Sequence, residues 1–222
     1  MADDNHVLSV SEAQAYYDRL GRWLDSQGFY ENPATDDLLA HARFADALSV
    51  FEFGCGTGAF AARLIHECLP PSAAYTGCDV SPVMVGLASQ RLQAYSGRAT
   101  VLRTDGRVAF PLPGRSADRV VSTYVLDLLS EDDIRAFFTE AHRVLVPGGM
   151  LCLASLTEGV GPLSRAVSSL WTALFRLRPS VVGGCRPVRL DAYADRNRWQ
   201  TAHRRTVTPF GVPSEVLILV AV

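Results

Sequence analysis

The chain contains no lysine: all 21 basic residues among its 222 are arginine. Several chemistries go with that absence. A Schiff base needs an amine nucleophile, and the phosphate-binding GxxxxGK[ST] loop needs an ammonium on a flexible stem. The Tyr-x-x-x-Lys constellation of one class of nicotinamide-dependent oxidoreductases is also impossible. Paired cysteines are missing too. Cys55, Cys68, Cys78, Cys152 and Cys185 form no CxxC and no Cys/His cluster at metal-ligand spacing. Reduced, mostly buried thiols and no metal site are therefore expected. The longest apolar run, "VLILVAV" at 216–222, is too short to cross a bilayer. The start, "MADDNHVLSV", is acidic and lacks the basic n-region of a signal peptide, so a cytoplasmic location is expected, with no membrane partner. A net charge of −2 supplies no field that would attract nucleic acid.

What the chain does have is an ordinary globular composition, 48% hydrophobic and 20% charged. Its charge is unevenly spread. Residues 1–50 carry nine acids against three arginines, whereas 176–205 carry eight arginines against Asp191 and Asp195. The size suits one sizeable core. One or two helices are predicted over 9–28, ending on Gly28, and another over 35–47 after Pro33.

From residue 48 the pattern alternates. Short apolar runs at 48–54, 74–80, 99–105, 118–124 and 150–156 read as buried strands. Helical spacing follows at 58–69, 82–95 and 131–145, the last opening with "SEDD", a cap and acids that suit the helix dipole. Such alternation implies a parallel sheet with helices on both faces. After a helical centre at 164–177, two strand-like runs joined by "PFGVPS" predict a closing antiparallel hairpin over 200–222.

The first strand leads into "VFEFGCGTG" (50–58), with glycine at 54, 56 and 58 and Glu52 two residues before them. A glycine-rich turn here lets backbone amides approach a ligand at a helix N-terminus. Asp79 ends the second strand about 20 residues past the glycines, where an acid accepts from both ribose hydroxyls. Asp105, beside Gly106, ends the third predicted strand, within reach of an adenine amino group.

These pieces, with "GCDVSPVM", "TDGRVAFPLPGRSADRVVS", "VLDLL" and "RVLVPGGMLCLA", resemble the class I S-adenosylmethionine (SAM)-dependent methyltransferases, in their UbiE-like small-molecule branch. The resemblance covers about 48–156, and the final strands fit the family's closing hairpin. It implies an α/β, three-layer Rossmann-like fold whose seven-stranded, mostly parallel sheet ends in an antiparallel C-terminal hairpin. The expected layout is a single domain: an N-terminal helical lid (1–47), a SAM-binding core (48–156), a substrate-side insertion (157–199) and the hairpin (200–222).

By residue, the resemblance implies that Gly54, Gly56 and Gly58 lie against the methionine part and ribose of SAM, and that Glu52 orients its amino-acid end. Asp79 would take the ribose. Val80, Ser81 and Met84 would line the adenine edge, Asp105 and Gly106 would flank the adenine, and Ser122 would sit near the methionine part. "AYYDRLG" is similar to the family's N-terminal segment that closes over the donor, so Tyr17 is expected to touch SAM. The implied activity is methyl transfer to a small-molecule acceptor, leaving S-adenosylhomocysteine (SAH), by a monomer or homodimer. The rivals are a non-catalytic protein on the same fold and an NAD(P)-dependent oxidoreductase.

Methyl transfer from a sulfonium needs alignment above all, and a base only where the acceptor must lose a proton. The catalytic residue is therefore left unknown. Asp127, in "VLDLL" where relatives often carry histidine, is the one weak candidate. His142 and His66 read as structural; His41 and His203 are further options for facing a pocket. Tyr16, Trp23, Phe29, Tyr30, Trp171 and Phe175 are available to roof the acceptor pocket, and the arginines at 176–205 to attract an anionic acceptor.

Overall fold

The computed structural model describes residues 7–222. Seven strands form one sheet: β1 (Ser49–Phe53), β2 (Ala74–Asp79), β3 (Ala99–Arg103), β4 (Ala117–Thr123), β5 (Leu145–Leu156), β6 (Trp199–Val207) and β7 (Ser214–Ala221). Their order is β3-β2-β1-β4-β5-β7-β6. The first five run parallel, and β7 pairs antiparallel with both β5 and β6. The expected Rossmann-like sheet with its antiparallel C-terminal hairpin is what forms.

Alternate side chains of each strand feed opposite faces, so the sheet carries a core on each side. Phe51, Phe53, Leu153 and Leu217 join Phe110, Phe137 and Phe138 beneath α5 (Glu131–Val144). Val50, Tyr75, Val216 and Ile218 join Leu64 and Ile65 of α3 (Ala59–Glu67) and Leu38 of α2 (Gly28–His41) on the other face. α4 (Pro82–Arg91) follows β2, with Pro82 in its first turn and Ser81 as its cap. The chain reverses its order across the sheet between β1 and β4, and a crevice opens there at the carboxyl ends of the strands.

Several boundaries differ from the sequence reading. The segment 9–28 forms α1 (Val10–Leu20), closed by a Ser9–Glu12 capping box, and then a 3₁₀ segment, Gly21–Gln27. α2 starts before Pro33 instead of after it. The proline forgoes one bond, to the carbonyl of Phe29, while buried Ala34, Thr35 and Leu38 hold the helix on the sheet. β3 stops at Arg103, leaving Asp105 in the following loop. β5 begins at Leu145, because Ala117 pairs with Leu145 before a bulge restores the register at Met150. α6 (Pro162–Leu177) confirms the helical centre of the insertion; it buries Ser164, Ser168 and Phe175 while Leu163, Leu170 and Leu177 stay exposed.

Candidate active site

A cavity of about 290 Å³ lies at the crevice. Its floor is the turn after β1. Gly54 adopts φ 77° there, and a Cβ on it would collide with Val125. Gly56 donates its N–H to Asp79 Oδ2 at 3.0 Å, and Ser81 donates its own to Oδ1 at 2.9 Å. The Asp79 carboxylate is thereby fixed beside the glycine loop, and its two oxygens have acceptor capacity beyond these backbone donors. Burial raises its pKa, and these backbone donors oppose the shift. Gly58 serves a different purpose. Its φ of 74° starts α3, and a Cβ would sit 3.0 Å from Ala88 Cα, so the bare backbone lets α3 and α4 pack closely.

Glu52 is buried, accepts the Tyr75 hydroxyl at 2.6 Å and lines the cavity. Burial pushes its carboxyl up to about 7; the Tyr75 bond pulls the other way, and the nearby charge of Asp79 adds to the rise. Val80, Met84, Gly106 and Tyr17 also line the space.

Four of the expected cofactor residues lie outside the lining. Gly58 packs against α4, as described. Ser81 is buried with its hydroxyl capping α4 at Met84 N–H. The Ser122 hydroxyl donates to the Phe53 carbonyl at 3.0 Å, tying β4 to β1. Asp105 is exposed and turned toward Arg107 at 3.6 Å, while its neighbours Thr104 and Gly106 face the cavity.

The N-terminal segment roofs the site. None of the residues of α1 is buried. It is held instead by polar latches on the cofactor loops. Ser81 donates to Asp18, and Asp25 takes hydrogen bonds from Thr57 Oγ1 at 2.6 Å and from Arg91 at 2.6 Å. Val10 covers Gly106 from above. Asp18 belongs to "AYYDRLG", the segment expected to close over the donor; Asp25 gave no motif, its only signal being the acidic bias of the first fifty residues.

Beyond the glycine loop the lining becomes aromatic. Tyr17, Tyr30 and Tyr124 line the cavity there together with Glu31, Asn32, Leu128 and Cys185. Tyr30 and Tyr124 meet edge to face at 5.8 Å, and the Tyr124 hydroxyl donates to Ser214 at 3.0 Å. Tyr124 sits at φ 55°, a strained conformation for an aromatic residue, just where β4 ends at the cavity. Burial raises all three phenols and keeps them neutral. Glu31 is pushed up to about 7 by burial, against a hydrogen bond from Tyr30.

Asp127 is buried beneath this wall and lies outside the lining. Neither of its oxygens makes a hydrogen bond of normal geometry. The amides of Asp127 and Leu156 and the charge of Arg186 offset only part of the desolvation, which pushes it up to about 7. Of the six aromatic residues available for the roof, Tyr30 alone is in the lining. Trp23 and Phe29 are exposed, Phe175 is on the buried face of α6, and Trp171 donates its indole N–H to the Cys185 carbonyl. None of the arginines between 176 and 205 lines the cavity.

The histidines serve elsewhere. His203 bonds Asp37 at 2.7 Å, and Arg205 bonds the same carboxylate at 2.9 Å, pinning α2 to β6. Asp37, His41 and His203 are the one group among the described residues whose ligand atoms lie close enough for a metal ion. The two imidazoles stack 3.9 Å apart at 7°, so their in-plane lone pairs run parallel and do not converge. His142 packs edge-on against Trp199, and His66 lies beside Tyr95.

Sheet order, glycine turn and strand-end carboxylate together define a nucleoside-binding Rossmann-like protein of the methyltransferase type. Residues 50–149 match the family described as a methyltransferase domain. This part of the chain is a class I SAM-dependent methyltransferase domain, with SAM as its cofactor. The malonyl-[acyl-carrier protein] O-methyltransferase of Hahella chejuensis is 31% identical over 159 residues, 71% of this chain and 52% of that protein. The chain spans about half the length of the curated relatives it matches first. Among solved structures, the [4+2]-cyclase SpnF superposes with a TM-score of 0.71 at 16% identity, covering 97% of each chain. The N-methyltransferase NodS from Bradyrhizobium japonicum gives 0.65 at 20% identity, covering 89% of this chain and 98% of that one. These two likenesses concern the fold.

Proposed function

We infer that the protein transfers the methyl group of SAM to a small-molecule acceptor, as one cytoplasmic domain. The observation that carries this reading is the Asp79 carboxylate, held by the Gly56 and Ser81 amides at the mouth of a roofed cavity. Its free lone pairs suit the two ribose hydroxyls. Glu52 lies deeper, where a carboxylate meets the ammonium of an amino acid. Thr104 and Gly106 offer backbone to the adenine edge, and Met84 offers an apolar face.

When bound, SAM supplies an already activated methyl group on a sulfonium. The protein's own contribution is alignment and exclusion of water, worth roughly 7–11 kcal/mol in well-oriented systems. The latches at Asp18 and Asp25 close the roof over the glycine loop, and Tyr17, Tyr30 and Tyr124 present aromatic faces to the space beyond it. Those faces stabilise positive charge. Asp127 acts from outside the lining, as a buried group that tunes the field near Tyr17 and Cys185.

Calorimetry with SAH and with NADH tests the reading. Micromolar SAH binding and no NADH binding are expected; the reverse result refutes it. Formation of SAH from SAM with an acceptor mixture separates an enzyme from a non-catalytic binder.

A further inference from the structure

Among the described residues that line the cavity, five are carboxylates and one is an arginine: Asp25, Glu31, Glu52, Asp79 and Asp133 against Arg63. The arginine is already paired with Asp36 at 2.8 Å. Four of the five acids have structural partners too. Asp25 holds Arg91 and Thr57, Glu52 holds Tyr75, Asp79 holds two backbone amides, and Asp133 accepts the Ser130 hydroxyl. Glu31 differs in its place: it stands half-buried at the aromatic end of the cavity and takes a hydrogen bond from the Tyr30 phenol.

An anionic acceptor entering here would lose its hydration among carboxylates with no unpaired side-chain cation among the described residues of the lining to replace it, since Arg63 is held by Asp36. A cation finds the opposite. It meets Glu31 beside three neutral aromatic rings, in a cavity where, among the described residues, Asp25 alone of the five acids is paired with an arginine, the arrangement that favours an ammonium. Resting on the SAM reading above, we propose that the acceptor is a primary or secondary amine, seated between Tyr17, Tyr30 and Tyr124 and deprotonated by Glu31. The substrate class is thus set by an acid on the roof helix α2.

The step balances as follows. Glu31 takes a proton from the ammonium and frees the nitrogen lone pair. That pair forms the new N–CH₃ bond while the C–S bond breaks, and its electrons stay on sulfur as the neutral thioether of SAH. The methylated amine leaves as its cation, and Glu31 returns the proton to solvent. The raised pKa of Glu31 brings it closer to the ammonium it must deprotonate and keeps it ready near neutrality.

The test uses the whole protein with saturating SAH and three probes of matched shape: phenethylamine, 4-ethylphenol and 3-phenylpropionate. Calorimetry is expected to rank the amine at least tenfold above the acid and above the phenol. With SAM, mass spectrometry is expected to find N-methylphenethylamine. Glu31→Gln should lower amine methylation at least thirtyfold and shrink the amine-over-acid preference below threefold, while SAH affinity stays within twofold. Equal or better binding of the acid or the phenol, or an unchanged preference in Glu31→Gln, overturns the proposal. SAH affinity, measured on both proteins without acceptor, reports the SAM reading separately. Its loss in the wild type would sink that reading, whereas retained SAH binding with no amine preference sinks only the acceptor assignment.

Discussion

Replacing Asp127 by asparagine should make the protein more stable at pH 8 and leave it almost unchanged at pH 5. Asp127 is fully buried, neither oxygen has a normal hydrogen bond, and its pKa lies at about 7 against an ordinary 3.8. In the unfolded chain the carboxyl ionises near 3.8; in the folded chain it keeps its proton until about 7. Between those values the native state binds more protons, so stability falls as pH rises through the window and levels off above it. Three units at about 1.4 kcal/mol each give roughly 4 kcal/mol as the most that ionisation of Asp127 can cost. Local relaxation and the guanidinium of Arg186 reduce this, and about 2–3 kcal/mol is the expected gain for the variant at pH 8. Urea unfolding at half-unit steps from pH 5 to 8.5, followed by tryptophan fluorescence, reads the difference. Glu52 titrates in the same range in both proteins and cancels in the subtraction, whereas the charge of Asp127 adds to the rise of Glu31, so its removal lowers Glu31 and adds slightly to the gain at pH 8. If Asp127→Asn were less stable at pH 8, the carboxylate would be stabilised by Arg186 instead of stranded, and the reasoning would fail. A pH-independent difference would refute it equally. Because Asp127 lies outside the cavity lining, SAH affinity should stay within twofold of wild type.

Asp79→Ala strands the amides of Gly56 and Ser81 and removes the acceptor offered to the ribose. SAH affinity should drop by about 30- to 150-fold, or roughly 2–3 kcal/mol, with a lower melting temperature as well. Asp79→Asn keeps one acceptor oxygen and should lose less of both; calorimetry and thermal unfolding on the pair decide. Removing the latches, in the Asp18→Asn/Asp25→Asn double variant, should free α1 from the cofactor loops. Faster proteolytic cleavage before residue 28 and an SAH affinity lowered about tenfold are expected, and an unchanged cleavage rate would show that α1 is held by other contacts. Gly58→Ala places a Cβ against Ala88 at a positive φ and should cost about 1–3 kcal/mol in urea unfolding. A neutral result would mean that α3 and α4 can part without loss.

The order of elements and the cofactor end were written locally. A buried strand shows as a short apolar run and a surface helix as a 3.6-residue period, so the alternation from residue 48 fixed the sheet and its closing hairpin before any contact was known. The glycines at 54, 56 and 58 and the acid at 79 were equally legible, because a backbone that must come close to a ligand leaves a mark in residue type. Boundaries shifted where tertiary contacts outweighed local preference, as at Pro33, where burial of α2 outweighed one lost bond, and at Leu145, where pairing with Ala117 lengthened β5. Side-chain direction in loops was not legible at all. Asp105 reads like a ligand residue yet points to Arg107, and the Ser122 hydroxyl is taken by the Phe53 carbonyl, because loop torsions and competing partners have no period to read. The contacts that hold the roof depended on tertiary structure. Asp25 and Glu31 belong to no motif, and Asp18, though it lies in "AYYDRLG", has partners that only the fold brings to it. They come to lie against Ser81, Thr57, Arg91 and Tyr124 because the chain packs its N-terminal helices over the crevice between β1 and β4, joining residues that stand tens of positions apart. That crevice is a property of strand order, and strand order exists only once the sheet has closed.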